Sequence, residues 1–374
     1  MLCPYSLSCP GGVQGQAAGL TRALRRLGHE AVLLAPVDGP LPDLGLPDDA
    51  VLGVGRSWGV PANGSIAPLA LGPLASLRAV RTVRGGCFDV VHVHEPLAPG
   101  PGLACLVACR QPKVGTFHRS GSSFGYRVLG LLGRPVAARL SIRCAVSPAA
   151  EETAARCLRG SYRIVGNGVE LERFAGADPW PTQRPTVLFV GRHEPRKGLD
   201  VLLEARRAMV GGGAEAFDLW IAGHGPDTAR LRQQHPDDGG LQWLGLLDDD
   251  ALARRLAGAH IVCAPSRQGE SFGVVLLEAM GSRCAVVASD LPGYVAVAQA
   301  HARWVRPGDA GALAAALRDA VSDAAAGTGH SSAAALDAAT RHAGRWSMDA
   351  VAAQYVAIYS EALQLPCSSG PPPD

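Results

Sequence analysis

Short apolar runs that suit buried strands alternate with helix-period segments along most of the chain. In the first half the strand candidates are AVLLAP (31–36), DVVHVHE (89–95), KVGTFH (113–118) and CAVS (144–147). In the second half they are TVLFVG (186–191), FDLWIAG (217–223), LQWLG (241–245), HIVCAPS (260–266) and CAVVASD (284–290). Helical patterns such as those of 198–209 and 248–259 lie between them. This alternation predicts βαβ units, in which helices cover parallel sheets.

The length and the turn-forming segments predict two domains. A chain of 374 residues exceeds what one hydrophobic core usually supports. The stretch Gly166–Pro185 contains turn formers and little periodicity, so we place an interdomain linker there and expect domains over 1–165 and 166–346. An amphipathic helix over 347–363 follows and is expected to cross back to the first domain. The Pro-rich tail 364–374 is expected to be disordered.

The start of the chain is short for a sheet of this kind. Only Met1, Leu2 and Cys3 precede the turn at Pro4, which is too few residues for a full central strand. Either the native start lies upstream, or the first sheet contains a strand of minimal length. The sequence leaves both alternatives open.

The composition indicates an ordered protein without a membrane span. The chain is 47% hydrophobic and 18% charged, and no stretch of about 18 uninterrupted apolar residues occurs. The N-terminus lacks the basic start and the apolar run of a signal peptide, which predicts a cytoplasmic location. The ten cysteines include no CxxC pair and no zinc-type spacing, so we expect free buried thiols and no metal site.

The charge is divided unevenly between the two halves. Residues 1–165 carry 17 Lys/Arg and 9 Asp/Glu, a net charge of +8, whereas the rest carries 18 and 24, a net charge of −6. No acid lies between Glu95 and Glu151, although seven basic residues do. Such a field attracts anions. An anionic substrate or an anionic membrane surface is therefore the expected partner, and no nucleic-acid partner is predicted.

The sharpest chemical signal is ESFGVVLLEA (270–279), which follows a strand candidate and opens into a helix. Glu270 precedes the helix, where its carboxylate can accept hydrogen bonds from sugar hydroxyls. The backbone N–H groups of Phe272 and Gly273 at the helix start suit a diphosphate. Glu278 lies two turns further along, where it can reach a ribose diol. Two solvated helix glutamates are the commoner explanation of this spacing, but the preceding strand and the SFG turn favour a binding site.

A basic turn follows another strand candidate. The segment VGRHEPRKGLD (190–200) carries Arg192, Arg196 and Lys197 between a buried strand and a helix. Cations at the carboxyl end of a strand suit a diphosphate. Basic residues in such loops are often only solvated, yet the chain has just two lysines beside 33 arginines. A compact ammonium suits a leaving phosphate, so the lysine here indicates a specific role.

A Gly-Gly turn near the N-terminus carries a weaker signal. In CPYSLSCPGGVQ (3–14), Pro10, Gly11 and Gly12 precede an amphipathic helix. Glycines let the backbone approach a ligand. Most Gly-Gly pairs are only turns, and the Lys-Ser/Thr ending of a P-loop is missing here.

Histidines end two of the strand candidates. KVGTFHRSG places His118 at the end of a strand, where open sheets bind their ligands. His92 and His94 share one face of the preceding strand, with Glu95 beside them. That pattern can bind zinc, but a hydrogen-bonded polar strand end is the favoured interpretation.

These motifs, in this order, resemble one enzyme family. The similarity to the retaining GT-B glycosyltransferases of family 4 rests on CPYSxxxPGGVQ, VPxNGSxAxLxxGP, FDVxHxHEP, TFH, GNGVELERF, GRxEPRKG, ESFGVVLLEA and VVASDLPGY. Within that family the chain is most similar to the actinobacterial phosphatidyl-myo-inositol mannosyltransferases. The match runs from Cys3 to Tyr359. It implies an α/β fold of the GT-B type, in which two Rossmann-like domains face each other across a cleft.

The resemblance also implies roles for individual residues. The donor nucleotide sugar would be bound by Gly11, Gly12, Arg192, Lys197, Glu270, Ser271, Phe272, Gly273 and Glu278. Catalysis would rest on His118, Glu270, Arg192 and Lys197. The acceptor would lie beside Tyr5, Gln14 and Arg119. The donor would be GDP-mannose, and transfer would retain the anomeric configuration with no metal and no other cofactor.

The reaction implied by the resemblance transfers mannose to the inositol ring of phosphatidylinositol or a related lipid, at the cytoplasmic face of the membrane. Leu97 after HEP and Arg119 after TFH depart from the family pattern on the acceptor side. They keep open a soluble acceptor, such as an inositol phosphate, a sugar or a natural product. A catalytically silent nucleotide-sugar-binding protein is the third alternative, because the first strand is so short. A reduced form of the family's lipid-binding basic cluster remains in Arg78, Arg81 and Arg84.

Overall fold

The computed structural model describes residues 1–9, 11–62, 65–121, 133–211 and 217–365. The chain divides into two compact units. The first unit contains Met1–Gly168 and Met348–Asp374, and the second contains Val169–Ser347. The division therefore lies three residues beyond the predicted boundary at 165/166. Pro10 and nearly all of the predicted tail, 364–374, lie outside the described residues.

The elements follow the alternation that the hydrophobic pattern predicts. The strands are β1 (Leu33–Ala35), β2 (Val51–Gly53), β3 (Trp58–Ala62), β4 (Ser65–Leu69), β5 (Val91–His94), β6 (Lys113–Phe117), β7 (Ile142–Ala145), β8 (Arg163–Ile164), β9 (Thr186–Val190), β10 (Asp218–Ala222), β11 (Leu241–Gly245), β12 (Ile261–Ala264), β13 (Ala285–Ser289) and β14 (Arg303–Val305). Every strand candidate is confirmed, with ends that differ by at most two residues.

Helices connect most of these strands. They are α1 (Gly12–Arg26), α2 (Pro73–Gly85), α3 (Pro101–Ala108), α4 (Pro148–Ala155), α5 (Glu172–Ala175), α6 (Leu199–Gly211), α7 (Thr228–Gln234), α8 (Asp249–Gly258), α9 (Val274–Gly281), α10 (Pro292–Ala298), α11 (Ala310–Ala326), α12 (Ala333–Ala343) and α13 (Met348–Gln364). Across the described ranges, none of the helices combines the length and the apolar character needed to cross a bilayer.

The sheet of the first unit depends on Met1–Cys3, which we call the stub. Strands β5 to β8 pair in parallel in sequence order, and β1 pairs in parallel with β2. Leu2 forms parallel bridges to both β1 and β5. Its N–H donates to the His92 carbonyl at 2.8 Å, and its carbonyl accepts the His94 N–H at 2.9 Å. The stub therefore joins the two ladders into one sheet of order β2-β1-stub-β5-β6-β7-β8.

The last helix, α13, packs on the first unit. The Tyr355 hydroxyl lies 2.9 Å from Oγ1 of Thr116 in β6, and the Tyr359 hydroxyl lies 2.7 Å from Nδ1 of His92 in β5. The buried face of α13 shares a hydrophobic core with α1 and with β6 and β7. The first unit is therefore built from two segments of chain that are far apart in sequence.

The second unit is a doubly wound sheet. Within the described residues its six strands are all parallel and lie in the order β11-β10-β9-β12-β13-β14. The direction in which successive strands are added to this sheet reverses between β9 and β12. In the first sheet, the direction of strand addition reverses between the stub and β5. Open α/β sheets bind ligands at such a switch point, beyond the carboxyl ends of the strands.

Part of the predicted linker is fixed on the second unit. The Trp180 ring centroid lies 3.8 Å from Cζ of Arg255, and the Trp220 ring centroid lies 4.3 Å from the same atom. The Trp180 N–H also donates to the Arg254 carbonyl at 2.9 Å. A desolvated guanidinium between two indole rings gains cation–π attraction. The segment around Trp180 is therefore an ordered part of the second unit.

We expect Leu2→Ala to destabilise the first unit, because Leu2 is 3% exposed and packs in the core with Leu34 and Val93. The free energy of unfolding should fall by about 2–4 kcal/mol, the usual effect of truncating a buried leucine. Urea denaturation measures the change. Leu74→Ala, at a leucine that is 67% exposed, should change it by less than about 0.5 kcal/mol. Equal effects of the two substitutions would contradict a buried stub.

Candidate functional site

Two loops meet at the switch point of the second sheet. The loop after β9 contains the basic turn, in which Pro195–Lys197 form a 3-10 turn. Gly198 ends this turn with φ +68°, and a Cβ there would lie 2.0 Å from the Pro265 carbonyl oxygen, just after β12. The Arg267 N–H donates to the Arg196 carbonyl at 2.7 Å. Backbone contacts thus hold the two loops together, and only glycine fits at position 198.

A buried carboxylate orders the basic turn. The Glu194 side chain forms ion pairs with Nε of Arg192 at 2.8 Å and Nε of Arg196 at 2.9 Å. A buried charge is tolerated only when it is paired, and here each carboxylate oxygen faces a guanidinium. Arg192 is itself exposed. The turn therefore presents to solvent an arginine that the Glu194 carboxylate orients.

One carboxylate oxygen of Glu270 contacts three donor groups. Its Oε1 lies 2.7 Å from Nζ of Lys197 and 3.2 Å from Nη1 of Arg196, and it accepts the Ser266 hydroxyl at 3.1 Å. The side chain is 10% exposed. Burial raises the pKa of this carboxyl, but the charges of Lys197 and Arg196 and the Ser266 hydrogen bond outweigh it, so the pKa is lowered. Glu270 is therefore ionised at neutral pH.

Helix α9 begins four residues after Glu270. Gly273 is its N-cap with φ +96°, and a Cβ there would lie 2.5 Å from the Tyr294 ring. Among the described residues no side chain caps this helix start, and its first turn holds no acid. Ser271 and the buried Phe272 form the turn that leads into it. The positive end of the helix dipole is therefore available to an anion.

Glu278 lies apart from the Glu270 cluster, on α9. The pKa of its carboxyl is raised, because burial and the Asp249 charge outweigh the Arg173 charge, which lowers it. Arg173 and Asp249 form an ion pair with each other at 2.8 Å. The structure thus places Glu278 near α5 and α8, with charged neighbours of its own.

The start of α1 presents the Gly-Gly turn. Gly11 is the N-cap, and at Gly12 a Cβ would meet no described atom within 4 Å. A Cβ at Gly11 would lie 2.4 Å from the side-chain oxygen of Gln14. Gln14 donates its amide to the carbonyls of Ser6 at 3.3 Å and Cys9 at 3.2 Å. Gln14 therefore holds the loop before the helix, a function that the sequence did not indicate.

His118 is buried at the end of β6. Its Nε2 lies 2.9 Å from Nδ1 of His94, and its side chain also hydrogen-bonds Asn167. Burial lowers the pKa of His118 to about 4, although the bond to Asn167 opposes this shift. The imidazole is therefore neutral at physiological pH and can form hydrogen bonds without carrying charge.

A second buried carboxylate lies beside His118. Glu95 has φ +49°, a left-handed conformation that costs a non-glycine residue roughly 1–2 kcal/mol. Its carboxylate accepts the His118 N–H at 2.7 Å and also the Arg119 N–H. Burial raises the pKa of Glu95 to about 7, although these bonds and the Arg119 charge lower it. Burial also raises the pKa of Tyr5, and the Glu95 charge adds to that shift. Tyr5 and Arg119, two of the three predicted acceptor residues, thus lie within electrostatic reach of Glu95.

His92 and His94 form a hydrogen-bonded strand end. Nε2 of His92 lies 2.7 Å from Oγ1 of Thr116, and Nδ1 lies 2.7 Å from the Tyr359 hydroxyl. The two imidazole rings stack with centroids 4.5 Å apart. Both nitrogens of His92 are therefore occupied by protein partners. In the described part of the chain, no three His, Cys, Asp or Glu side chains converge as metal ligands.

Three residues that organise the second-unit cluster were not predicted: Glu194, Ser266 and Tyr294. Glu194 stands between two cations in the basic turn, and this alternation of charge was a usable signal of pairing. Ser266 follows a buried strand at the switch point, which was a weaker signal. The Tyr294 hydroxyl reaches Oγ of Ser266 at 3.0 Å only through tertiary packing, so no local pattern indicated it.

A cavity of about 330 Å³ lies elsewhere on the second unit. Trp180, His260, Arg283 and Ser331 are among its lining residues. His260 directly precedes β12 and Arg283 lies two residues before β13, so the cavity lies at the amino ends of the strands. It is therefore at the opposite edge of the sheet from the Glu270 cluster.

Comparison with known proteins places the chain in a family. Profiles described as Glycosyltransferase Family 4 and as Glycosyl transferases group 1 match residues 10–173 and 184–323. The phosphatidyl-myo-inositol mannosyltransferase of Mycolicibacterium smegmatis is 38% identical over 96% of this chain and 92% of its own length. This chain belongs to glycosyltransferase family 4. The enzyme of the same name from Mycobacterium tuberculosis is 40% identical to this glycosyltransferase over 84% of the chain and 81% of its own length.

Solved structures show the same architecture. A glycosyltransferase from Rickettsia africae superposes with a TM-score of 0.72 at 19% identity, covering 97% of this glycosyltransferase and 98% of its own chain. Anabaena HepE, crystallised with UDP, gives a TM-score of 0.71 at 18% identity over 96% and 98% of the two chains. At 18–19% sequence identity, this structural similarity is evidence for the fold alone. The predicted GT-B fold with its two Rossmann-like units is confirmed.

We expect Glu95→Gln to remove a pH dependence of stability. On folding, the pKa of Glu95 rises from 4.5 to about 7, so the stability that this group contributes is fully present below pH 4.5 and is lost as the pH rises through about 7. The loss is about 3 kcal/mol at most. Between pH 5 and pH 8 the wild-type enzyme should therefore lose more stability in thermal unfolding than the variant.

The control is Glu30→Gln, because Glu30 is exposed in the same unit. Its unfolding profile should follow that of the wild-type enzyme at both pH values. A Glu95→Gln variant with the wild-type pH profile would contradict a raised pKa at Glu95.

Proposed function

We propose that this glycosyltransferase transfers mannose from GDP-mannose to the inositol ring of phosphatidylinositol or a related lipid, with retention of configuration. The observation that carries the proposal is the convergence of Lys197 and Arg196 on Glu270, next to Arg192, at the carboxyl edge of the second sheet. A sugar diphosphate needs both kinds of group: cations for its phosphates and a carboxylate for its sugar hydroxyls. The names of the two mycobacterial relatives support mannose as the sugar and an inositol lipid as the acceptor.

The cluster has a charge surplus that favours a diphosphate. Its three cations, Arg192, Arg196 and Lys197, face two carboxylates, Glu194 and Glu270, which leaves a net charge of +1. The adjacent N-terminus of α9 adds a partial positive charge. Phosphates bound between the basic turn and this helix start would therefore be attracted from two sides.

Other residues would complete the donor site in this proposal. Glu270 would accept hydroxyls of the mannosyl group, and Glu278 would accept those of the ribose. His118 is neutral, so it would hydrogen-bond the transferred sugar without adding charge. Gly11 and Gly12 carry no side chain, so their backbone would be open to a phosphate.

The proposed reaction proceeds on one face of the sugar. The bond between the anomeric carbon and the diphosphate oxygen breaks, and the inositol hydroxyl bonds to the carbon on the same side. Lys197 and Arg192 stabilise the negative charge that develops on the leaving phosphate. That phosphate takes the proton of the incoming hydroxyl, so no enzymic base is needed. The cations supply the charge that a metal ion supplies in other enzymes, and we propose no metal or other cofactor.

The acceptor would bind near Tyr5 and Arg119. Leu97, one of the two departures from the family pattern, is fully buried in the core of the first unit, so we assign it no role in binding. Arg119, the other departure, lies near Glu95, where a guanidinium suits a phosphate on the acceptor. A phosphoinositide headgroup and a soluble inositol phosphate share this chemistry, so the soluble acceptor is the second candidate.

Helix α2 presents a surface that suits anionic lipid. Leu74 and Leu77 are exposed, and Arg78, Arg81 and Arg84 are exposed on the same stripe of the helix. The opposite face of α2 is buried in the first unit. Each arginine near an anionic leaflet contributes about 1 kcal/mol, and inserted leucines add to this. We propose that α2 holds the enzyme on the cytoplasmic face of the membrane as a peripheral protein.

Lys197→Met should lower kcat for mannose transfer about 100-fold, because the leaving phosphate loses its ammonium. Transfer of radiolabel from GDP-mannose to phosphatidylinositol measures the effect. The matched control is Lys113→Met at the other lysine of the chain, which binds the Gln111 carbonyl at 3.0 Å in the first unit. That variant should keep its activity. Undiminished turnover in the Lys197→Met variant would contradict the proposed function.

The same assay separates the two acceptors. Wild-type enzyme is incubated with labelled GDP-mannose and either phosphatidylinositol vesicles or a soluble inositol phosphate. Label in the organic phase supports the lipid acceptor. Label that appears only in the aqueous phase supports the soluble acceptor instead.

Replacing Arg78, Arg81 and Arg84 together by glutamine should weaken binding to vesicles that contain anionic lipid by about 100-fold, since about 3 kcal/mol of attraction is lost. Vesicle flotation measures the bound fraction. Binding to neutral vesicles should be weak for both proteins.

The control for total charge replaces three exposed arginines of the second unit, Arg230, Arg232 and Arg318, by glutamine. It should bind anionic vesicles as the wild-type enzyme does. Equal binding of the wild-type enzyme to anionic and neutral vesicles would rule out α2 as an anionic-lipid surface.

A further inference from the structure

Behind Glu270 lies a pair of buried hydroxyl groups. Ser266 is 2% exposed and Tyr294 is 1% exposed. Oγ of Ser266 lies 3.1 Å from Oε1 of Glu270 and 3.0 Å from the Tyr294 hydroxyl. The ionised carboxylate can only accept, so Ser266 donates its one hydrogen to Glu270, and Tyr294 must then donate to Ser266. The two hydrogen bonds therefore run in one direction, from Tyr294 to Glu270.

We infer that Ser266 and Tyr294 are positioning residues, which hold one oxygen of Glu270 so that the other oxygen is presented to the donor sugar. Lys197, Arg196 and Ser266 all contact Oε1. Within the described residues, these ion pairs and hydrogen bonds of the Glu270 side chain all fall on Oε1 and leave Oε2 for a ligand. This inference rests on the proposed function, because it takes Glu270 as the residue that binds the sugar.

The hydroxyl pair matters most when a donor is bound. In the structure, Lys197 and Arg196 share the Glu270 carboxylate. These cations are also the groups that a diphosphate attracts, and its several charged oxygens compete with one carboxylate for them. Ser266 is buried behind the carboxylate and is not drawn toward the phosphates. It therefore keeps Glu270 in place while the cations turn to the diphosphate.

Tyr294 supports the same loop through its ring. That ring would lie 2.5 Å from a Cβ at Gly273. A Cβ at the neighbouring Gly293 would lie 2.4 Å from the Glu270 carbonyl oxygen, so the first turn of α10 packs directly against the loop. The ring thus supports the backbone, while the hydroxyl orients the carboxylate. Tyr294→Phe removes the second function and keeps the first.

Tyr294→Phe and Ser266→Ala should each lower kcat for mannose transfer by about tenfold, because a misoriented carboxylate aligns the sugar less well. The double variant should be no worse than the stronger single variant, because both substitutions break the same chain of hydrogen bonds. Titration calorimetry should show weaker binding of GDP-mannose in each variant. Binding of GDP, which lacks the sugar, should stay within about twofold of wild type. A merely structural defect would weaken both ligands alike.

The matched control is Tyr162→Phe, which removes a tyrosine hydroxyl that donates to the Leu158 carbonyl at 2.7 Å in the first unit. Its kcat and its affinities for both ligands should equal those of the wild-type enzyme. Thermal unfolding verifies that each variant is folded. If Ser266→Ala does not fold, Tyr294→Phe decides the question alone.

Glu270→Gln separates the two ways in which the experiment can fail. Full transfer activity in this variant would overturn the proposed function of the cluster, and the positioning role with it. The second outcome is an inactive Glu270→Gln variant together with Tyr294→Phe and Ser266→Ala variants that keep the wild-type kcat and GDP-mannose affinity. That outcome would overturn only the positioning role. Equal loss of GDP and GDP-mannose binding in the single variants would also overturn it, since the hydroxyls would then support the fold alone.

Discussion

The close approach of two loops at the switch point of the second sheet is the constraint on which the candidate site depends. β9 and β12 are neighbours in the sheet, although their loops come from distant parts of the sequence. The contact between Gly198 and the Pro265 carbonyl brings these loops together, and it leaves no room for a side chain. The basic turn can therefore reach Glu270, 74 positions away from Arg196. The ion pairs of Glu270 with Lys197 and Arg196 follow from that approach.

The two buried carboxylates show how neighbours decide the charge state of the same residue type. Glu270 faces two cations, which outweigh burial and lower its pKa. Glu95 accepts backbone N–H groups and lies near the Arg119 charge, but burial outweighs both, and its pKa rises to about 7. The first is ionised at neutral pH and lies beside cations, which suits ligand binding. The second fixes the backbone of His118 and is sensitive to pH.

The fold and the residue types of the candidate site could be predicted from the sequence, but the pairing of those residues could not. Buried parallel strands are continuous apolar runs, so β9 and β12 were visible in the hydrophobic pattern, whereas β8, a strand of two exposed residues at the sheet edge, left no signal. Gln14 and Leu97 show the limit on the acceptor side. Motif position alone could not tell that Gln14 binds its own loop or that Leu97 lies in the core.

The order in which the first unit is assembled follows from the position of α13. The core of the first unit contains Val351, Ala352 and Tyr355 of α13. The ribosome adds these residues only after the whole second unit has been synthesised. A nascent chain can therefore complete the second unit while β5 and β6 of the first still lack their covering helix. During translation, the first unit therefore completes its fold after the second unit. Its uncovered apolar surface is the part of the chain on which chaperones would act.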